Sequence, residues 1–268
     1  MRDQASIGII GGSGFYSLLT DVRELKVETP FGPPSDSIHL AELGDRTLAF
    51  LPRHGRNHTI PPHKINYRAN IWALHSLGVR FLISPCAAGS LQPQVKPEHF
   101  VLCDQYIDRT RGRQDTFYEG PEVYHVSPAE PYCPFLRKLA AEVIREQGIT
   151  VHEKGTIVVI NGPRFSTKAE SRWFSGQGWE VIGMTQYPEA YLALEKAMAV
   201  VNISLITDFD CGLFEQQGIE RISAEEILRV FHENARKVKD VVLELARRIP
   251  LDLESPSHLS LDFAKISG

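Results

Sequence analysis

The chain has 268 residues, 43% of them hydrophobic and 23% charged, with a formal net charge of -4. That length suits one large α/β domain, and the composition is that of an ordinary globular protein, with no basic surplus for nucleic acid and nothing suited to a membrane surface. No apolar stretch approaches the roughly 20 residues of a membrane span, and the first residues carry no signal-peptide core. Four scattered cysteines, Cys86, Cys103, Cys133 and Cys211, have no C-x-x-C or Cys/His spacing. A cytoplasmic protein with reduced thiols is expected. His54, His58 and His63 cluster, but Pro61 and Pro62 interrupt them, and no metal site is expected there.

Short apolar runs alternate with amphipathic helical patterns, without internal repeats. This predicts an α/β fold: a single domain spanning 1–268, with a twisted, mixed but mostly parallel sheet flanked by helices. A strand over 7–10 runs into Gly11-Gly12-Ser13-Gly14, a turn whose amides and Ser13 hydroxyl can meet an anion. It is not a dinucleotide fingerprint, and alone it reads equally well as a bare turn. A second strand, 47–51, ends in Pro52-Arg53-His54-Gly55; Arg53 offers a planar fork of donors and His54 one or two more. Ile65, Ala69, Trp72 and Leu77 have helical spacing, closed by Gly78. The strand over 80–84 leads into the small-residue turn Pro85-Cys86-Ala87-Ala88-Gly89-Ser90, a third place for an anion. A strand is also expected over 100–103.

The basic stretch from Arg109 to Arg113 reads as a solvated loop. Residues 120–134 hold four prolines, too irregular for a helix and long enough to reach a neighbouring subunit. A helix over 135–147 and a strand over 155–160 follow, then Asn161-Gly162-Pro163-Arg164-Phe165-Ser166, where Phe165 reads either as a core aromatic or as a stacking face for a flat ring. Thr167 and Glu170 form a capping box, as do Ser223 and Glu226 ahead of a long helix with Ile227, Phe231, Val238, Val242 and Leu245 on one face. A strand over 180–182 feeds a helix with Pro188 in its first turn, which puts Thr185 near helix-start amides. The last strand, 199–206, stops at Thr207-Asp208-Phe209-Asp210-Cys211. Alternation along a strand projects Asp208 and Asp210 together and turns Phe209 away. A carboxylate pair there accepts hydrogen bonds or supplies a proton, although an Asp-rich turn or a cap is the competing reading. The tail beyond Pro250 has little periodicity and is expected to be loosely ordered.

Ile7-Gly8-Ile9-Ile10-Gly11-Gly12-Ser13-Gly14, Arg53-His54-Gly55-Arg56, the run from Asn66 to Leu74, Gly162-Pro163-Arg164-Phe165, Gly183-Met184-Thr185 and Thr207-Asp208-Phe209-Asp210-Cys211, in this order, resemble the trimeric purine nucleoside phosphorylase family. The similarity runs from about residue 6 to 246, and the members most alike are those that cleave S-methyl-5'-thioadenosine. The resemblance implies a pentosyltransferase that needs no cofactor and uses inorganic phosphate as co-substrate, giving adenine and S-methyl-5-thio-α-D-ribose 1-phosphate in purine and methionine salvage. It implies a homotrimer, a core over 6–247 with a tail from 250, and phosphate contacts at Ser13, Arg53, His54, Cys86, Ala87 and Thr185. Phe165 would lie against the purine and Met184 along the ribose, while His125 would reach the 5'-substituent of an adjacent subunit. Ser166 and Ala224 match positions linked with tolerance of that group. Asp208 and Asp210 would be the catalytic pair, Asp208 acting at purine N7, one of the two keeping a proton, and both selecting a 6-amino group. The alternative is a methylthioinosine or general 6-oxopurine nucleoside phosphorylase, whose members carry Asn where this chain has Asp208. Two departures stand out: animal members have threonine at Cys86 and asparagine at Gly183.

Overall fold

The computed structural model describes residues 4–12, 22–213, 223–262 and 264–266; the side chains of 224–228 and 231–233 lie outside the description. Among the described residues, eleven strands form one sheet: β1 (Ile7–Gly11), β2 (Arg23–Leu25), β3 (Ile38–Leu43), β4 (Arg46–Pro52), β5 (Phe81–Ser90), β6 (Phe100–Val101), β7 (Gln105–Arg109), β8 (Val151–His152), β9 (Thr156–Ile160), β10 (Val181–Gly183) and β11 (Ala199–Phe209). Five helices surround it: α1 (Tyr67–Ser76), α2 (Pro134–Glu146), α3 (Lys168–Gly176), α4 (Gln186–Leu194) and α5 (Ala224–Arg248). The β1–β4, β1–β5, β5–β11 and β9–β10 pairs are parallel, while the edge hairpin β2–β3–β4 is antiparallel. The mixed, mostly parallel α/β architecture is the one the alternating pattern predicts.

Strands buried on both faces read as continuous apolar runs, and their period of two divides them between two cores. Ile10, Leu82 and Val200 join Ile71 and Leu74 of α1 and Leu192 of α4. Their strand neighbours Ile9, Phe81, Ile83, Val201 and Ile203 face the other way, onto Leu136 and Val143 of α2 and Val242 and Leu245 of α5.

The sheet forks at β5. One edge of this strand pairs with β11 along its whole length, with a bulge between Ile206 and Asp208. The other edge takes β1 at Phe81, Leu82 and Ile83, and then β10, antiparallel, at Gly89 and Ser90. Between those contacts, residues 84–88 pair, among the described residues, with no strand except β11. The wedge so opened, at the carboxyl ends of β1, β4, β9 and β10, is where α/β sheets hold ligands.

Three expectations need correction, and the strand β7 is unexpected. The strand expected over 100–103 stops at Val101: Phe100 N and Leu102 N donate in ladder register to the Thr150 and His152 carbonyls, but Asp104 N reaches past residue 154 to the Gly155 carbonyl, which breaks the register. Residues 105–109 form β7, an edge strand paired with β9, although its charged and half-exposed side chains conceal the period. The stretch from Arg109 to Arg113 is not wholly solvated, since Arg113 is half-buried and donates to the carbonyls of Asn161, Met184 and Tyr187. The tail beyond Pro250 is not loose: Ser255 caps a 3-10 turn (Pro256–Leu259), His258 packs edge-on against Phe81, and Ser260 bonds the Leu194 carbonyl. Ser255, Ser257 and Ala264 are buried, which supplies the docking that periodicity alone does not reveal.

Candidate active site

A cavity of about 690 Å³ fills the wedge. Its lining brings together residues from four strand ends and the middle of β5: Arg53 and His54 after β4, Cys86 and Ala87 within β5, Phe165 and Ser166 between β9 and α3, Met184 and Thr185 after β10, and Asp208 and Asp210 at the end of β11. Ser13 lies outside the described residues, although Gly12 beside it lines the cavity. Ala224 opens α5, and its side chain lies outside the description. His125 lines a different depression, with Glu130, Pro134 and Leu194.

Arg53 is 2% exposed and closes the inner end of the fork. Its Nε and Nη2 donate to the two carboxylate oxygens of Glu189 at 2.7 and 2.9 Å, Nη2 also reaches Ile10 O and Ser84 Oγ, and Nη1 donates to Pro85 O at 3.1 Å. The bidentate fork expected for an anion is thus taken by Glu189, which leaves one Nη1 hydrogen for a ligand. Burial alone would lower the Arg53 pKa, but the charge and hydrogen bonds of Glu189 outweigh it and the net shift is upward. Ser84 Oγ donates to Glu189 Oε1 at 2.6 Å and accepts from Gln186 Nε2 at 2.6 Å. Sequence reading passed over Ser84, Gln186 and Glu189. The available signal was a polar residue inside the apolar run of β5 and the carboxylate that any buried arginine requires.

His54 Nδ1 lies 2.8 Å from the Ile60 carbonyl, an acceptor only, so the ring proton belongs on Nδ1. Burial, then the Arg53 charge, lower its pKa to about 4. At neutral pH, Nε2 is therefore an acceptor, not the additional donor expected. Cys86 also differs from expectation. Ser204 Oγ gives its hydrogen to Asn202 Oδ1 at 2.8 Å, so the Cys86 thiol, 3.5 Å away, donates to Ser204. Asn202 Nδ2 approaches the same sulfur at 3.4 Å, and burial pushes the thiol pKa up. Backbone groups of successive strand residues face opposite edges, with Phe81 N turned to Ser6 O on the β1 side, Pro85 O to Arg53, and Arg80 O to Ala199 N of β11; the Cys86 amide therefore faces β11, and the donor this pair offers an anion is the Ala87 amide.

Thr185 occupies the cap of α4 without a side-chain hydrogen bond to it, but Tyr187 (φ -116, ψ 132) breaks the first turn, so regular helix begins at Pro188. Its hydroxyl, not a helix dipole, is what it presents to the cavity. Phe165 is 62% exposed at the mouth, which removes the core-aromatic reading. The turn before it needs glycine: Gly162 has φ +64, and a Cβ there would sit 2.7 Å from Met184 Sδ.

At the opposite end, Asp208 and Asp210 both line the cavity while Phe209 does not, as alternation predicts. Thr207 Oγ1 donates to Asp208 Oδ1 at 2.8 Å; Ser166 Oγ, 2.7 and 2.6 Å from the two oxygens of Asp210, donates to that carboxylate. Burial, with a further push from the Asp210 charge, raises the Asp208 pKa to about 6 against the pull of the Thr207 bond. The cavity therefore has an end lined by hydrogen-bond donors, where Glu189 balances the Arg53 charge, and an acidic end where Asp208 exchanges its proton near pH 6.

A model of the phosphorylase superfamily matches residues 6–247. The chain is 49% identical over 266 residues to S-methyl-5'-thioadenosine phosphorylase of Thermofilum pendens, covering 98% of this chain and 100% of the relative. It is 48% identical over 255 residues to purine nucleoside phosphorylase of Streptomyces coelicolor, covering 92% and 90%. Among solved structures, methylthioadenosine phosphorylase from an antarctic soil metagenomic library superposes with a TM-score of 0.93 at 40% identity, covering 100% of this chain and 94% of the other.

Proposed function

This chain belongs to the phosphorylase superfamily, and from that premise we propose that it cleaves S-methyl-5'-thioadenosine with inorganic phosphate, releasing adenine and S-methyl-5-thio-α-D-ribose 1-phosphate. The observation that carries the reading is the polarity of the cavity, with Arg53 and His54 at one end and the Asp208/Asp210 pair at the other. A phosphate oxygen forms its bond to C1' while the C1'–N9 bond breaks and its electron pair passes into the purine. The phosphate dianion stabilises the cationic sugar. The Arg53 Nη1 hydrogen, the Ala87 amide and the Thr185 hydroxyl hold that phosphate, and His54 Nε2 accepts from its protonated oxygen. Asp208, protonated up to about pH 6, delivers its proton to N7 as charge gathers on the base, and Asp210 accepts from the 6-amino group.

Phe165 stacks on the purine and Met184 packs along the ribose. His125 lies away from its own subunit's cavity, which suits a trimer in which it serves the neighbouring site. Four free thiols suit a reducing cytoplasm. A 6-oxopurine nucleoside phosphorylase is the second reading, favoured by the purine nucleoside phosphorylase relative and by Gly183 at the base end. Methylthioadenosine, adenosine, methylthioinosine and inosine, each assayed with and without phosphate, separate the two. Phosphate-dependent adenine release from methylthioadenosine is expected to dominate, and faster hypoxanthine release from the inosine forms would overturn the assignment.

A further inference from the structure

Arg113 is the one member of the basic stretch that turns inward, and it does so without a carboxylate within ion-pair distance among the described residues. Its Nη2 donates to the carbonyls of Asn161 at 3.0 Å and Met184 at 2.8 Å; Nη1 donates to the Tyr187 carbonyl and lies 3.2 Å from Tyr67 Oη. The guanidinium carbon sits 5.1 Å from the centre of the Tyr67 ring. Burial lowers the Arg113 pKa from its ordinary value, yet a guanidinium remains charged throughout the accessible range.

These three carbonyls mark the places where β9, β10 and the broken first turn of α4 give way to the turns that line the cavity. Asn161 precedes Pro163, Phe165 and Ser166; Met184 and Thr185 line the cavity themselves; Tyr187 immediately precedes Pro188. Such turns lack ladder partners to fix them, and a planar group with several donors can hold three of them at fixed spacing. The excursion that carries Arg113 is anchored on either side. Arg111 N donates to Asn161 Oδ1 at 3.3 Å, Tyr187 Oη donates to Asp115 Oδ2 at 2.7 Å, and Thr116 Oγ1 donates to Glu195 Oε1 at 2.7 Å. Arg113 does not itself line the cavity.

We propose that Arg113 is a positioning residue which sets the spacing between the Phe165/Ser166 turn and Met184, and thereby the width of the nucleoside end of the cavity. The kinetic consequence rests on the proposed phosphorolysis; the structural one does not. Misplacing a substrate contact by about 1 Å is enough to cost on the order of 10²-fold. Of the proposed phosphate contacts, Thr185 alone lies in a segment that Arg113 holds, whereas Arg53, His54 and Ala87 receive no hydrogen bond from it. The inference therefore separates the two substrates.

The test compares Arg113→Met, which keeps length without donors, with Arg113→Lys, and uses Arg111→Met as the control on an exposed neighbour. Amide hydrogen exchange should quicken in Arg113→Met over 160–166 and 183–187 and stay unchanged over 51–55 and 84–88. In the same variant the KM for methylthioadenosine should rise by about tenfold or more while the KM for phosphate, which feels Arg113 only through Thr185, rises by a clearly smaller factor, and Lys should recover most of the difference. Unchanged exchange in those two segments overturns the proposal whatever the enzyme proves to cleave. Quickened exchange with an unaltered nucleoside KM overturns it too, as does a parallel fall in both affinities and kcat that tracks the folded fraction. Absence of phosphorolysis in the unmutated protein would count against the reaction alone, since the exchange pattern still decides the role of Arg113.

Discussion

Asp208 and His54 share one cavity but respond to pH with opposite signs. The folded pKa of Asp208 is raised to about 6 from 3.8, so the folded state binds its proton more tightly and stability falls as pH rises from about 4 to 6. His54 is lowered from 6.5 to about 4, so the unfolded state binds more protons and stability falls as pH drops through that window. At 1.36 kcal/mol per unit, each amounts to about 3 kcal/mol, and between pH 4 and 6 the two nearly cancel. Thermal melts should expose this: Asp208→Asn should become acid-sensitive between pH 6.5 and 4, while His54→Gln should lose stability as pH rises from 4 to 6. Flat profiles in both variants would refute these environments. Asp208→Asn should also remove a decline in kcat/KM above pH 6 and shift preference from adenine toward hypoxanthine nucleosides, by up to about 10⁴-fold in the ratio. Arg53 carries a separate expectation. Removing its buried carboxylate partner with Glu189→Ala should cost about 3–5 kcal/mol, read as a drop in melting temperature, because the guanidinium is left buried and unpaired.

Among the elements, α3 shows most directly how a local signal shapes the cavity. Thr167 accepts from Glu170 N at 3.2 Å and Glu170 Oε2 accepts from Thr167 N at 2.7 Å, a complete capping box directly after Phe165 and Ser166. Thr167→Ala should cost about 1 kcal/mol and raise the nucleoside KM more than the phosphate KM; equal changes would separate the cap from the site. This box was readable from the sequence, as were β1, β4, β9 and β11, whose apolar runs have no competing interpretation. β2 and β7 escaped because edge strands carry charged, half-exposed residues, whereas β3, paired on both sides and buried over Ile38 to Ala41, escaped because His39 and Glu42 interrupt its apolar run. The site divides in the same way. Asp208, Arg53, His54 and Thr185 stand at strand ends, which sequence can locate. What sequence cannot supply is the partner of each: that Glu189 takes the Arg53 fork, that Ile60 fixes the His54 proton, or that Ser204 takes the Cys86 hydrogen. Those contacts join residues 6 to 136 positions apart.

At the scale of the whole molecule, the C-terminal tail belongs to the structure. His125 N donates to Ala264 O at 2.8 Å, Ile266 N to Val123 O at 3.0 Å, and Lys265 pairs with Glu122. Truncation after Pro250 should therefore lower the melting temperature and, if His125 serves an adjacent subunit, abolish activity on 5'-methylthio substrates sooner than on free-base binding. Activity that survives truncation undiminished would show the tail to be dispensable. The fork in the sheet has a further consequence, for the chain as it emerges during synthesis. β5 can pair with β1 at once, but the partners of its second half, β10 and β11, lie about a hundred residues downstream. Until they arrive, the second half of β5 is an apolar strand edge open to any other chain. Pro85, just past the residues that β1 pairs, has no N–H to offer, a feature that blunts edge-to-edge pairing. The opening that receives the ligand in the finished molecule is thus, in the nascent one, the edge most exposed to aggregation, and it carries its own guard.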